Sequence, residues 1–406
     1  MSVSPRRTRT SFLSAAALLA GLALPLGSCG PRDVQSPEAL VGHYEGNIAW
    51  RDATLPVDLD LEVRDGRLLA RATLPALLAR DLPVEGFEFR SPKVRFRLPM
   101  GSETWVFDGW FRRGIFSGTF SGGSLPLTFN RNTLPRLGLK RVTRRPAEPY
   151  RADTVRFAGG AAPLAGTVFA PADSLAHPAI VLLVDGATGT RADGLELADR
   201  FALAGFVALA FDPRGQGASA GERAASLADH ELDAAEAAEF LRRHPGVDPK
   251  QVGLLGQGRG ALLVPRVAAR VRTAFAIALS PPGVPLERAY ARMGGLPQWA
   301  ETEAKADPAA PWTAITAPAL VFFGERDDRL PAEGAARVRE ALRAGAAGTR
   351  VETIARADHA LRLRPRRGEP FDFPRFAPAA LDTLLGWARA RTGMPPLPPR
   401  IVPPVR

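Results

Sequence analysis

Five histidines, one cysteine and one glycine-rich turn are the features of this 406-residue chain with the clearest claims to chemistry. An imidazole ligates a metal, or moves protons when a carboxylate holds it in one tautomer. His43, His177, His230, His244 and His359 include no pair at ligand spacing, so no metal site is expected. The turn Gly256-Gln257-Gly258-Arg259-Gly260 is no phosphate loop. It does not run into Gly-Lys-Ser/Thr, and it matches G-x-G-x-x-G only in part, with no acid at a strand end roughly 20 residues on. No cofactor is expected. Cys29 is the only cysteine, which excludes an intrachain disulfide.

The position of Cys29 carries its own information. Arg6, Arg7 and Arg9 precede an apolar run over 12–26, and Leu26-Gly27-Ser28-Cys29 closes it. This reads as a secretory signal, too short to span a bilayer. The last four residues resemble the bacterial lipobox, whose cysteine is acylated and becomes the mature N-terminus. The resemblance implies an exported protein held to the envelope membrane by lipidated Cys29, with Gly30 favouring the outer membrane of a Gram-negative cell. Taking the three signal arginines from the formal +11 leaves +8, a basic chain. No basic run has interleaved aromatics, so nucleic acid is not an expected partner.

The elements that must position any site fall into two groups. With 46% apolar and 23% charged residues the chain is globular and long enough for two domains. After the signal (1–29) and a tether (30–37), residues 38–132 read as successive strands. Val57, Leu59, Leu61 and Val63 alternate with charged residues, and Asp65-Gly66 turns the chain into a second strand over 67–74. Val94, Phe96 and Leu98 alternate with Arg95 and Arg97, and Trp105, Phe107, Trp110, Phe116, Phe120, Leu127 and Phe129 follow. One small antiparallel sandwich or barrel is expected, with these aromatics in its core. Residues 133–150 are rich in Arg and Pro and read as an exposed linker.

From 151 to 394 short apolar strands alternate with amphipathic helices, the pattern of a mostly parallel sheet covered on both faces. Strands are expected at 179–184, 207–211, 252–255, 275–279, 319–323 and 350–354. Helices are expected at 194–204, 232–243, 260–271, 332–344 and 379–391. Residues 281–317 interrupt the rhythm as a short lid, and 395–406 form a Pro-rich tail.

Several motifs in this half belong together. Asp212-Pro213-Arg214-Gly215-Gln216-Gly217-Ala218-Ser219 follows one strand, and Gly256-Gln257-Gly258-Arg259-Gly260 joins the strand ending Val252-Gly253-Leu254-Leu255 to a helix. Gly324-Glu325-Arg326-Asp327-Asp328-Arg329-Leu330-Pro331 and Ala357-Asp358-His359 follow two later strands. In this order they resemble the rim turn D-x-R-G-x-G-x-S, the nucleophile elbow G-x-S-x-G, the acid loop G-x-x-D-x-x-V-P and the histidine loop of α/β hydrolases. Together with the β-domain, which matches in pattern only, nearly the whole mature chain resembles bacterial S33-like serine hydrolases.

The resemblance implies an α/β-hydrolase fold with Asp327 as acid (Asp328 is the adjacent alternative) and His359 as base. Gly258 stands where the family has serine. The backbone N–H groups of Arg259 and Ala187 fall at the oxyanion positions, and Asp185 precedes the oxyanion loop, where a cap of the following helix fits it better than catalysis. Ser219 and Ser280 are the nearest serines in motif terms, and neither has elbow geometry. His43, His177, His230 and His244 have no expected catalytic role, the last two flanking a surface helix.

Three readings stay open: a pseudo-hydrolase binding a small ester or peptide ligand, a hydrolase using water activated by His359 and Asp327, and an envelope scaffold that binds through its β-domain.

Overall fold

The computed structural model describes residues 36–100, 103–123, 125, 133–143, 149–184, 189–224, 226–291, 294–343, 345–363 and 373–397. The signal, Cys29, Asp185, Ala187, Leu127 and Phe129 lie outside them.

The first domain is built from β1 (Gly42–Trp50), β2 (Ala53–Arg64), β3 (Arg67–Leu74), β4 (Ala79–Pro83), β5 (Glu85–Arg90), β6 (Lys93–Met100), β7 (Glu103–Arg112), β8 (Ile115–Ser121) and β9 (Arg136–Val142). They form one antiparallel sheet in the order β4-β3-β2-β1-β9-β8-β7-β6-β5. Only Val84 separates the two edge strands in sequence, so the edges are brought together and the sheet is nearly closed. The hairpin at Asp65-Gly66 is present: both residues have positive φ, 52° and 71°, as a two-residue turn of the right twist requires. Alternation sends Tyr44, Phe96, Phe107, Phe116 and Phe120 inward to full burial. Their rings pack mostly edge to face or tilted, as in Tyr44–Phe116 at 4.8 Å.

Two expectations need correction here. Residues 136–142 are not an exposed linker but β9, which lies between β1 and β8 with Leu139 opposite Gly46 on one side and Phe116 on the other. Arg136, Gly138 and Lys140 face solvent while Leu137 and Leu139 are buried. A period-two pattern hides inside the basic composition. Trp110 is not core: its neighbours Phe107 and Phe111 point inward and it points out, 38% exposed.

The second domain opens with β10 (Tyr150–Ala158) and β11 (Pro163–Pro171), an antiparallel pair whose alternation the sequence reading passed over. Then come β12 (His177–Val184), α1 (Leu195–Leu203), β13 (Val207–Phe211), α2 (Leu227–Arg242), β14 (Val247–Gln257), α3 (Arg259–Arg270) and β15 (Ala276–Leu279). After these follow α4 (Leu286–Tyr290), β16 (Ala319–Gly324), α5 (Glu333–Ala341), β17 (Arg350–Ile354) and α6 (Pro378–Arg391). The sheet order is β10-β11-β13-β12-β14-β15-β16-β17. From β13 to β17 every neighbouring pair is parallel. Helices cover both faces: α1 and α6 bury Phe201, Leu384 and Trp387 on one, and α2, α3 and α5 bury Ala234, Val264 and Val338 on the other. This is the α/β-hydrolase fold behind a small, nearly closed antiparallel β-domain.

The two domains are joined by more than the chain. Arg80 of the first domain reaches Asp199 on α1 at 2.5 Å, and Tyr150 donates to the same carboxylate. In return Phe373 is buried in the barrel core beside Trp105, with ring centroids 6.3 Å apart.

Candidate active site

The carboxyl ends of the parallel strands form the floor of the site, as the fold dictates. Strand β14 is central, with Gln257 paired to Val184 of β12 and to Leu279 of β15. Helix α3 starts two residues later, and the chain turns at Gly258 with φ 61° and ψ −128°. The flanking glycines are sterically required. A Cβ on Gly256 would run into the Gly260 carbonyl, and one on Gly260 into the Leu183 carbonyl. The tight strand-to-helix elbow is therefore intact, with glycine at its apex. The backbone N–H groups of the first turn of α3, beginning at Arg259, have no partner within the helix, and that of Ala261 donates to Gly258 O at 3.1 Å. The Arg259 side chain is buried, its guanidinium 5.5 Å from the Trp299 ring in the segment between β15 and β16.

Two other loops bring acid and base together. Asp327 follows β16, and its Oδ1 accepts the Arg329 and Leu330 N–H groups at 2.9 and 3.0 Å. Its Oδ2 accepts from His359 Nδ1 at 2.8 Å. With the proton on Nδ1 held by the carboxylate, Nε2 is left as the basic nitrogen. Burial works to raise the Asp327 pKa, but the His359 hydrogen bond and charge and the two backbone donors outweigh it and hold the carboxyl below its usual range. The loops are braced against each other: Arg326 N–H donates to Ala357 O at 2.8 Å, and Arg356 N–H to Glu325 Oε2 at 2.7 Å. Gly324 permits the approach, since a Cβ there would meet the Asp358 carbonyl. Asp328 is exposed and is not the partner of His359.

The serines differ in kind. The Ser219 hydroxyl is committed, donating to Asp212 O at 2.6 Å and accepting from Ala165 N at 2.8 Å. Ser280 follows β15 at φ 49°, fully buried, with no partner for its hydroxyl among the described residues. It follows directly on Leu279, the last residue of β15 in register with β14.

The rim turn holds the network that sequence reasoning missed. Arg214 makes a bidentate pair with Asp233 on α2, both contacts 2.7 Å, and Asp212 accepts from Arg191 N and Ala218 N at 2.8 Å each. Gly217 has φ 54° and leaves no room for a Cβ against the Asp212 carboxylate. Helix α2 also corrects the placement of His230. It is 3% exposed, on the stripe of Leu227, Ala234, Ala238 and Leu241 that faces the sheet. Its Nε2 has no partner among the described residues, and it shares a small cavity with Asp233 and Arg259. Burial first, then the Arg259 and Arg214 charges, push its pKa down to about 3. The signal in the sequence was the spacing of Asp229 and Asp233, one helical turn apart, after an arginine-bearing turn.

His43, His177 and His244 sit away from the site, His43 against Asp60 at 2.6 Å and His177 against Asp173 at 2.6 Å. Among the described residues no group of His, Cys, Asp and Glu is arranged to hold a metal ion, and no helix is long and apolar enough to cross a membrane.

Comparison with known proteins finds a family match over part of the second domain. Residues 176–312, which include the rim turn and the elbow, match the family described as serine aminopeptidase, S33. No curated protein matches the chain. An esterase of Pyrococcus furiosus is 21% identical, with 52% of this chain and 84% of that chain covered and a TM-score of 0.44. The α/β hydrolase GrgF of Penicillium sp. sh18 is 18% identical, with 60% and 100% covered and a TM-score of 0.48. By its strand order, its covered sheet and this family match, the second domain is an α/β hydrolase in fold, similar to the S33 serine aminopeptidases over residues 176–312.

Proposed function

We propose that the protein is a lipid-anchored envelope protein that uses a hydrolase-type site to bind a small ester or peptide ligand without serine-dependent turnover. The carrying observation is Gly258 at the apex of an intact elbow, with the Asp327–His359 pair still formed at 2.8 Å. The serine route of acyl transfer needs a hydroxyl oxygen next to the base, and it is absent when that oxygen is absent. The Ser219 hydroxyl is already bonded within the rim turn and does not stand in.

The test is hydrolysis of a short p-nitrophenyl ester, with a fluorophosphonate label in parallel, on wild type, Gly258→Ser and His359→Ala. Activity and labelling in Gly258→Ser alone are expected. Wild-type turnover that His359→Ala abolishes would sink the binding-only reading.

That outcome would favour the second reading, a water activated by the Asp327–His359 pair. The retained pair is its one supporting observation, and general-base help alone supplies roughly 10² to 10⁴-fold. Lipidation rests on Leu26-Gly27-Ser28-Cys29. Acyl chains add about 0.8 kcal/mol per buried CH₂, enough when multiple to keep the chain at a membrane. Labelling with an alkynyl fatty acid that persists in Cys29→Ala would refute it.

A further inference from the structure

The outer face of the first domain carries a second candidate site, independent of the elbow. Strands β5 to β8 each turn one row of side chains outward, and these rows line a groove of about 760 Å³, within the roughly 300–1,000 Å³ of small-molecule sites. Trp110 stands in it, 38% exposed, with its indole N–H unbonded among the described residues. Lys93 is its cross-strand partner on β6. Arg95 and Asp108 face each other at 3.7 Å, and Arg90 and Glu88 border the groove on β5. The other described aromatics of β6 to β8, Phe96, Trp105, Phe107, Phe111, Phe116 and Phe120, are buried, so Trp110 alone is offered outward by these strands.

A flat indole face beside guanidinium and carboxylate groups has the chemistry that recognises a sugar. The C–H face of a pyranose packs on the ring. Its neighbouring hydroxyls donate to carboxylates and accept from guanidinium forks, and the Thr119 and Ser121 hydroxyls on β8 extend the hydrogen-bonding edge. The charge selects further. Arg95 and Asp108 are set against each other, Glu88 lies opposite Arg95 and Arg90 opposite Lys93 in the β5–β6 register, and none of Glu88, Arg90 and Lys93 has an ion pair among the described residues, so the groove carries three cations against two acids. A surplus of cation complements a sugar that carries carboxylates. A nucleic acid strand fits less well, because successive bases need successive stacking rings and here there is one ring, flanked by Glu88 and Asp108.

We propose that this groove binds an acidic polysaccharide, with one sugar ring stacked on Trp110 and its carboxylate held near Arg90 and Lys93.

The experiment is calorimetric titration of the full chain in detergent with a galacturonate oligosaccharide, a neutral galactose oligosaccharide and oligothymidylate. The variants are Trp110→Ala, Lys93→Glu and, as a distant charge control, Arg339→Glu on α5. All three positions are exposed, and an unchanged thermal midpoint checks the fold. The galacturonate is expected to bind at least tenfold tighter than the neutral sugar. Trp110→Ala and Lys93→Glu should each weaken it about tenfold, with Arg339→Glu unchanged. The proposal is overturned if the galacturonate does not bind, if Trp110→Ala leaves binding intact, or if Arg339→Glu weakens it as much as Lys93→Glu, the mark of unspecific charge attraction. Tighter binding of oligothymidylate than of galacturonate would also overturn it, in favour of a nucleic-acid groove.

Discussion

Replacing Gly258 by serine places a hydroxyl at the elbow and changes the backbone energy in the same step. The apex lies at φ 61°, ψ −128°. A residue with a Cβ occupies such a conformation at a cost of about 1–3 kcal/mol, whereas glycine enters it almost freely. A serine also restricts the unfolded chain, which returns about 0.4–1 kcal/mol. The balance predicts that Gly258→Ser is less stable than wild type by about 1–2 kcal/mol. Gly258→Ala should lose a similar amount, because the cost lies in the Cβ. At about 2–4 °C per kcal/mol for a domain of this size, the thermal midpoint falls by roughly 2–8 °C. Urea unfolding followed by tryptophan fluorescence measures it, with a lower midpoint at unchanged slope as the expected sign. If both variants unfold at or above the wild-type midpoint, the glycine does not relax the elbow and the argument fails. If serine is more stable than alanine by about 1 kcal/mol, the introduced hydroxyl has found a hydrogen-bond partner.

Two further outcomes follow from the packing. His230 is held neutral, its pKa lowered to about 3, so the folded state binds fewer protons than the unfolded state below the ordinary 6.5. Stability contributed by this group is present above pH 6.5 and falls as the pH drops toward 3. Between pH 6.5 and 4.5 the wild type should lose about 2 kcal/mol that His230→Gln does not; equal losses in urea titrations at the two pH values would refute the placement. Leu139→Ala, at 2% exposure in β9, should cost about 2–5 kcal/mol. A change within about 0.5 kcal/mol, usual for a surface loop, would return residues 136–142 to the role of linker.

The site was more legible in the sequence than the ground around it, and the reasons are physical. The elbow and the two loops are fixed by glycines that cannot be exchanged. Gly256, Gly260 and Gly324 each sit where a Cβ would meet a carbonyl, so the spacing of residue types survives as a readable motif. Asp327 and His359 are then found by their place after successive strands. Strand β9 was hidden because its outward positions hold Arg136 and Lys140, and a strand with a charged face inside an Arg-rich stretch reads as solvated chain. His230 was hidden because half of the residues α2 buries are alanines, whose small side chains leave the inward face weakly marked. Trp110 shows the converse error. Composition counts it with the core aromatics, while the two-residue period turns it outward. The register of β14 against β15, and the pair Arg214–Asp233, depend on which strands and helices become neighbours, which no local pattern specifies.

Phe373, buried against Trp105 inside the barrel, sets an order of events for a chain made from its N-terminus. N-terminal domains commonly fold during synthesis, and β1 to β9 are complete long before residue 373 emerges. Until then the first domain lacks the Phe373 ring that packs beside Trp105. Final packing of the first domain is thus among the last steps of folding rather than the first, and it waits on the second. A chain interrupted between the two is left with apolar surface that only the missing portion can cover.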